Sequence, residues 1–165
     1  MRLFIAIQLS DEMRSSVIGL MHGLKKAGIK GSYVPAQNLH LTLAFIGEIN
    51  DPEAVEEALQ TVKVRPFRLS LSEMGSFGDL LWVGLRGNQG LSMLVKAVRE
   101  ALDTAGIDYD KKNFTPHITL VRKASKSEEW KKLRVPGAEM MVKKVSLMRS
   151  EQRDGKRIYT EIFAI

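Results

Sequence analysis

Three histidines occur in the chain, and two share one frame: His40-Leu41-Thr42-Leu43 and His117-Ile118-Thr119-Leu120. On a β-strand, positions i and i+2 face the same side. His40 and Thr42 therefore project together, with Leu41, Leu43 and Phe45 on the opposite face; His117 and Thr119 do the same, with Ile118 and Leu120 opposite. An imidazole near neutral pKa serves as general acid or general base at pH 7. A hydroxyl beside it can donate to a nonbridging phosphate oxygen. In-line displacement at phosphorus puts attacker and leaving group on opposite sides. Two such frames facing each other across a cleft therefore suit phosphoryl chemistry. The chain has no cysteine and no His-x-x-x-His spacing, so neither a thiol nucleophile nor a familiar zinc site is written in it. No metal or other cofactor is expected. His22 falls on the side of its helix opposite Met13 and reads as a solvated residue.

The elements that must position these frames follow from periodicity. Residues 2–8 read as a strand. Ser10 with Asp11-Glu12 opens a helix carrying Met13, Val17, Leu20, Met21 and Leu24, and Gly28 stops it. A short strand at 31–34 is followed by one at 39–46. Asp51-Pro52 starts a helix to about Val62. Strands are expected at 66–72 and 80–85, with Met74–Asp79 as a glycine-containing turn. Leu91, Leu94, Val95, Val98 and Leu102 mark a second long helix ending at Gly106. Then come a strand at 115–121, a short helix near 126–133, and strands near 139–149 and 156–164, the last two joined by an Asp154-Gly155 hairpin turn.

The order strand, helix, strand, strand follows Leu39 and occurs again after Pro116. That predicts two similar lobes with a cleft between them. The expected fold is α+β and bilobal: two largely antiparallel sheets with flanking helices, related by a pseudo-two-fold duplication, with the active site in the central cleft. Residues 1–165 are expected to form a single bilobal domain.

With 165 residues, the chain can bury a sizeable core without staples. Its formal net charge is +6, and the charge is unevenly spread. Residues 1–110 hold 11 Lys and Arg against 13 Asp and Glu; residues 111–165 hold 14 against 6. A basic C-terminal third on a near-neutral body suggests one positive face and an anionic partner, most often nucleic acid. Arg122 ends the second His strand and is a candidate phosphate or RNA-backbone contact. Lys123, Lys126, Lys131 and Lys132 would extend that track or form a solvated helix face. Phe114, Tyr33 and Trp82 are available to stack a base, although each reads first as a core residue. No apolar run approaches a membrane span, and the N-terminal stretch is too short and too alternating for a signal peptide. The cytoplasm, a monomer and no membrane partner are the expectations.

Asn38-Leu39-His40-Leu41-Thr42-Leu43-Ala44-Phe45-Ile46-Gly47 and Phe114-Thr115-Pro116-His117-Ile118-Thr119-Leu120-Val121-Arg122 resemble the two signatures of the two-histidine phosphoesterases. The nearest branch is the RNA 2′,3′-cyclic phosphodiesterases, also called 2′-5′ RNA ligases of the LigT type. The resemblance covers nearly the whole chain, including the opening strand and the spacing between the histidines. It implies a bilobal α+β fold and metal-free opening of a terminal 2′,3′-cyclic phosphate on RNA, such as a tRNA fragment, to a 2′-phosphate. It also implies His40 as donor to the departing 3′ oxygen and His117 as the acceptor that activates water. Thr42 and Thr119 would then hold the phosphate. Two other readings stay open: the reverse reaction, joining a cyclic-phosphate end to a 5′-hydroxyl by a 2′-5′ bond, and a non-catalytic RNA-binding module.

Overall fold

A computed structural model describes all residues, 1–165. Nine strands form two antiparallel sheets. The first has the order β3-β1-β8-β9, from β1 (Arg2–Gln8), β3 (His40–Glu48), β8 (Ser146–Arg153) and β9 (Lys156–Ala164). The second has the order β2-β6-β5-β4-β7, from β2 (Ser32–Tyr33), β4 (Phe67–Phe77), β5 (Leu80–Leu85), β6 (His117–Arg122) and β7 (Glu139–Val142). Three helices complete the fold: α1 (Asp11–Lys26), α2 (Pro52–Gln60) and α3 (Gln89–Thr104). Both sheets and all three helices contribute to one core of 35 buried residues.

Local chemistry sets the element ends. Ser10 Oγ accepts from the Met13 amide at 3.1 Å and starts α1. Asp51 and Asn88 cap α2 and α3 in the same way. The apolar stripe of α1 runs Met13, Val17, Leu20, Met21 and Leu24, all buried; that of α3 runs Leu91, Leu94, Val95, Val98 and Leu102. Strand β1 is central and covered on both faces. Leu3, Ile5 and Ile7 enter the main core, whereas Phe4 and Ala6 pack with Met148 on the other side.

The two lobes exist, but they are not successive segments of chain. Strand β3 lies in the first sheet while β4 and β5 lie in the second. What truly repeats begins one strand earlier. β1 leads through the 16-residue α1 to β3, and β5 leads through the 16-residue α3 to β6. In both sheets the His strand neighbours the strand that precedes its helix. Residues 139–149, which read as one strand, are two. β7 pairs with β4 and β8 with β1, so Lys143-Lys144-Val145 carries the chain between sheets. A continuous β-rich pattern hides such a crossing because both halves satisfy the same alternation. The short helix near 126–133 is a single 3-10 turn at Glu129–Lys132. Met74–Phe77 belongs to β4, which leaves only Gly78-Asp79 as the turn. The Asp154-Gly155 hairpin turn is present, with φ of 50° and 74° at the two positions.

Candidate active site

The alternation along β3 and β6 does what their sequences require. Leu41, Leu43, Ile118 and Leu120 are buried in the core. His40, Thr42, His117 and Thr119, on the opposite faces, line one cleft of about 1070 Å³. Arg122 lines the same cleft. The structure thus brings all five sequence-identified candidates together. A groove of about 1080 Å³ between α2 and α3 contains no histidine.

The two imidazoles are anchored alike. His40 Nδ1 lies 2.7 Å from the Asn38 carbonyl oxygen, and His117 Nδ1 lies 2.6 Å from that of Thr115. A carbonyl only accepts, so in each case Nδ1 carries the hydrogen and donates. Each Nε2 is left for other chemistry. In His40 it meets Thr42 Oγ1 at 2.8 Å. In the neutral tautomer Nε2 accepts from the hydroxyl; in the imidazolium it donates to it. Burial pushes the His40 pKa below the ordinary imidazole value. The Asn38 carbonyl pulls it partly back, and the positive charges of Arg122 and His117 lower it further.

Two glycines allow close packing of the strands beside His117. His117 is opposite Gly84 in register, and Thr119 is opposite Trp82. A Cβ at Gly84 would come within 2.8 Å of Ser72 Oγ and 3.1 Å of the Glu73 carbonyl. Trp82 lies flat over Gly75, where an added Cβ would sit 2.4 Å from its ring atoms. Phe77, about half exposed, meets the His117 ring edge-on at 5.3 Å, and Trp82 stands 5.9 Å from it. On the other wall, Phe4 and Tyr159 stand 4.9 Å and 5.3 Å from the His40 ring.

Of the three aromatics singled out from the sequence, Tyr33 lines the cleft and donates to the Ile29 carbonyl at 2.6 Å. Trp82 flanks His117, and Phe114 packs against the core. Phe4, Phe77 and Tyr159 were not singled out. Their strand alternation offered a signal, but their proximity depends on which strands pair.

The cleft is strongly cationic. Arg2, Arg122, Lys156 and Arg157 line it, and no Asp or Glu does. None of the four forms an ion pair. The lysine track suggested after Arg122 does not reach it: Lys123, Lys126, Lys131 and Lys132 are absent from the lining, and the last two pair with Glu128 and Glu129. His22 is exposed on α1, as expected. No helix is long and apolar enough to cross a membrane.

Residues 14–154 match the family model described as the 2′-5′ RNA ligase superfamily. A protein from Archaeoglobus fulgidus named RNA 2′,3′-cyclic phosphodiesterase is 33% identical over 137 residues, which is 78% of this chain and 76% of the relative. One of the same name from Escherichia coli K12 is 35% identical over 133 residues, 76% of this chain and 74% of the relative. The crystal structure of E. coli LigT in apo form superposes with a TM-score of 0.83 at 29% identity, covering 99% of this chain and 95% of that one. LigT complexed with 3′-AMP superposes with a TM-score of 0.81 at 30% identity, with the same coverage.

Proposed function

Because the chain belongs to the 2′-5′ RNA ligase superfamily, we propose that it hydrolyses RNA ends carrying a 2′,3′-cyclic phosphate, leaving a 2′-phosphate and a free 3′-hydroxyl. The observation that carries this reading is the matched pair of imidazoles. Each is oriented by its own Nδ1 bond to the carbonyl two residues earlier, and both line one acid-free cleft. The curated relatives named for this activity, and the LigT complex with a nucleotide, support it.

In the proposed reaction, water attacks phosphorus opposite the 3′ oxygen. The new P–O bond forms as the P–O3′ bond breaks. His117 takes the water proton, and His40 gives its own to the 3′ oxygen. The two imidazoles end in exchanged protonation states and reset by exchange with solvent. Thr42 and Thr119 donate to the nonbridging oxygens, and Arg122 offsets their charge. In the free protein, burial favours neutral His40. A bound cyclic phosphate carries a negative charge, which favours the imidazolium required of a proton donor. Thr42 Oγ1 turns from His40 Nε2 to the phosphate as that charge arrives. The five-membered ring of the substrate is strained, so an acid, a base and positioned donors make a complete set. Both histidines come from one chain, so a monomer suffices. A 5′-hydroxyl in place of water would use the same groups.

Phosphorus NMR of a nucleoside 2′,3′-cyclic phosphate incubated with the protein in EDTA tests the proposal. The expected product is the 2′-phosphate. A 3′-phosphate would overturn the assignment of the leaving oxygen. No conversion, on mononucleotide or RNA oligomer, would favour a non-catalytic RNA-binding module.

A further inference from the structure

The phosphoryl chemistry uses one cation of the cleft, Arg122, and leaves Arg2 and Arg157 unexplained. These two lie on the strands either side of Ser150 and line the same cleft. Arg157 Nη1 donates to Ser150 Oγ at 3.1 Å. Arg2 is the cross-strand partner of Ser150 from the other side, which places their Cβ atoms roughly 5 Å apart. The Arg2 guanidinium also stacks on the Phe45 ring, 5.1 Å from its centroid, which restricts where it points.

Neither arginine forms an ion pair: Glu48, opposite Arg2 on β3, is engaged by the Met1 amine. Glu151, next to Ser150 in sequence, alternates to the other face of β8 and is engaged by Arg149 and Arg153. Lys156 lines the same cleft beside Arg157 and is also unpaired. Cations on the strands flanking Ser150 favour an anion bound between them. The site is held at a fixed offset from the histidines. The buried Asn38 donates through Nδ2 to the Arg157 carbonyl at 3.0 Å, while its own carbonyl receives the His40 Nδ1 hydrogen. Tyr159, cross-strand neighbour of Ser150, also touches the His40 ring.

Resting on the reading above, we propose that Arg2, Ser150 and Arg157 form a second phosphate subsite. It takes the phosphodiester on the 5′ side of the terminal nucleoside and so makes an RNA chain a better substrate than a bare nucleoside. Two charge-assisted donors and a hydroxyl match the nonbridging oxygens of a phosphodiester.

The test compares three substrates with the same cyclic terminus: adenosine 2′,3′-cyclic phosphate, its 5′-phosphorylated form, and an RNA trinucleotide ending in it. The expected result is a KM for the trinucleotide ten-fold or more below that of the bare nucleoside. Combined Arg2→Ala and Arg157→Ala should abolish that advantage while leaving bare-nucleoside turnover unchanged. Both side chains are exposed, so folding is not at stake; the double Lys variant should keep most of the advantage. Equal KM values in the wild type, or an advantage that survives the double Ala variant, would overturn the subsite. A gain confined to the 5′-monophosphate form would overturn the RNA-chain occupant in favour of a free nucleotide. Titration of a fluorescent trinucleotide bearing a 3′-phosphate separates this from the hydrolytic reading. Even if no cyclic substrate turns over, loss of binding in the double Ala variant, with a salt slope lower by about 0.7, upholds the subsite. Unchanged binding and slope overturn it.

Discussion

His40 and His117 are held by the same bond and differ in their surroundings. Burial and two nearby positive charges disfavour the His40 imidazolium in the free protein. A proton donor must be charged, so the titration of His40 sets one limb of the pH profile. The profile of kcat/KM reports the free protein, and that of kcat the complex. The His40 limb of kcat/KM should therefore lie acidic of the ordinary value of 6.5. In kcat it should move alkaline, because the substrate's negative charge favours the imidazolium. Steady-state pH profiles read both; a His40 limb at the same pH in kcat/KM and kcat would count against the proton-donor role. His40→Ala and His117→Ala should each lower kcat by about 10²–10⁴-fold with an unchanged circular dichroism spectrum. A single variant that kept its activity would refute the paired mechanism. The His-x-Thr frames were legible because strand alternation alone decides which side chains share a face; Arg122, which alternates with Leu120, was legible from its place at the end of β6. Arg2 was not legible. It lies in the near-neutral first two thirds of the chain, and only the pairing of β1 with β8 brings it to Ser150.

Among the elements, helices were easier to read than sheets. Caps and apolar stripes are local, and Ser10, Asp51 and Asn88 all perform as caps. Sheet membership is not local, so the split between β7 and β8 escaped the sequence. Hairpin β4–β5 shows how one small residue shapes the site. Gly75→Val would drive a side chain into the Trp82 ring, where even a Cβ sits 2.4 Å away. Overpacking of this kind costs about 1–3 kcal/mol. Urea unfolding should show that loss, with slower turnover as Trp82 and Phe77 shift against His117. Gly137→Ala, with nothing within 4 Å of its added Cβ, is the matched control and should change little.

For the molecule as a whole, two titrating groups set an acid-side limit to stability. His40 is held with a lowered pKa, so the unfolded chain takes up its proton first. The stability this costs is absent above pH 6.5 and grows as pH falls below it. Glu161 is also lowered, mainly by Lys144 and Ser146, so its contribution is present above its ordinary 4.5 and disappears as pH falls below that. The melting temperature should therefore fall from pH 7 towards pH 5, then further below. His40→Gln should flatten the first part and Glu161→Gln the second, as read by calorimetry across pH.

The duplication was visible in the sequence but framed one strand late, because its clearest mark, the His frame, ends each unit instead of opening it. That interleaving governs how the chain is made. Gln8 at the end of β1 bonds to Ser146, 138 positions later. A ribosome adds roughly 5–20 residues per second, so β1 waits about 7–30 s for its second neighbour. Throughout that interval a strand meant to be covered on both faces is an unpaired, sticky edge. The first sheet can close only after β8 and β9 have been synthesised, and until then the open edge of β1 is exposed to other strands.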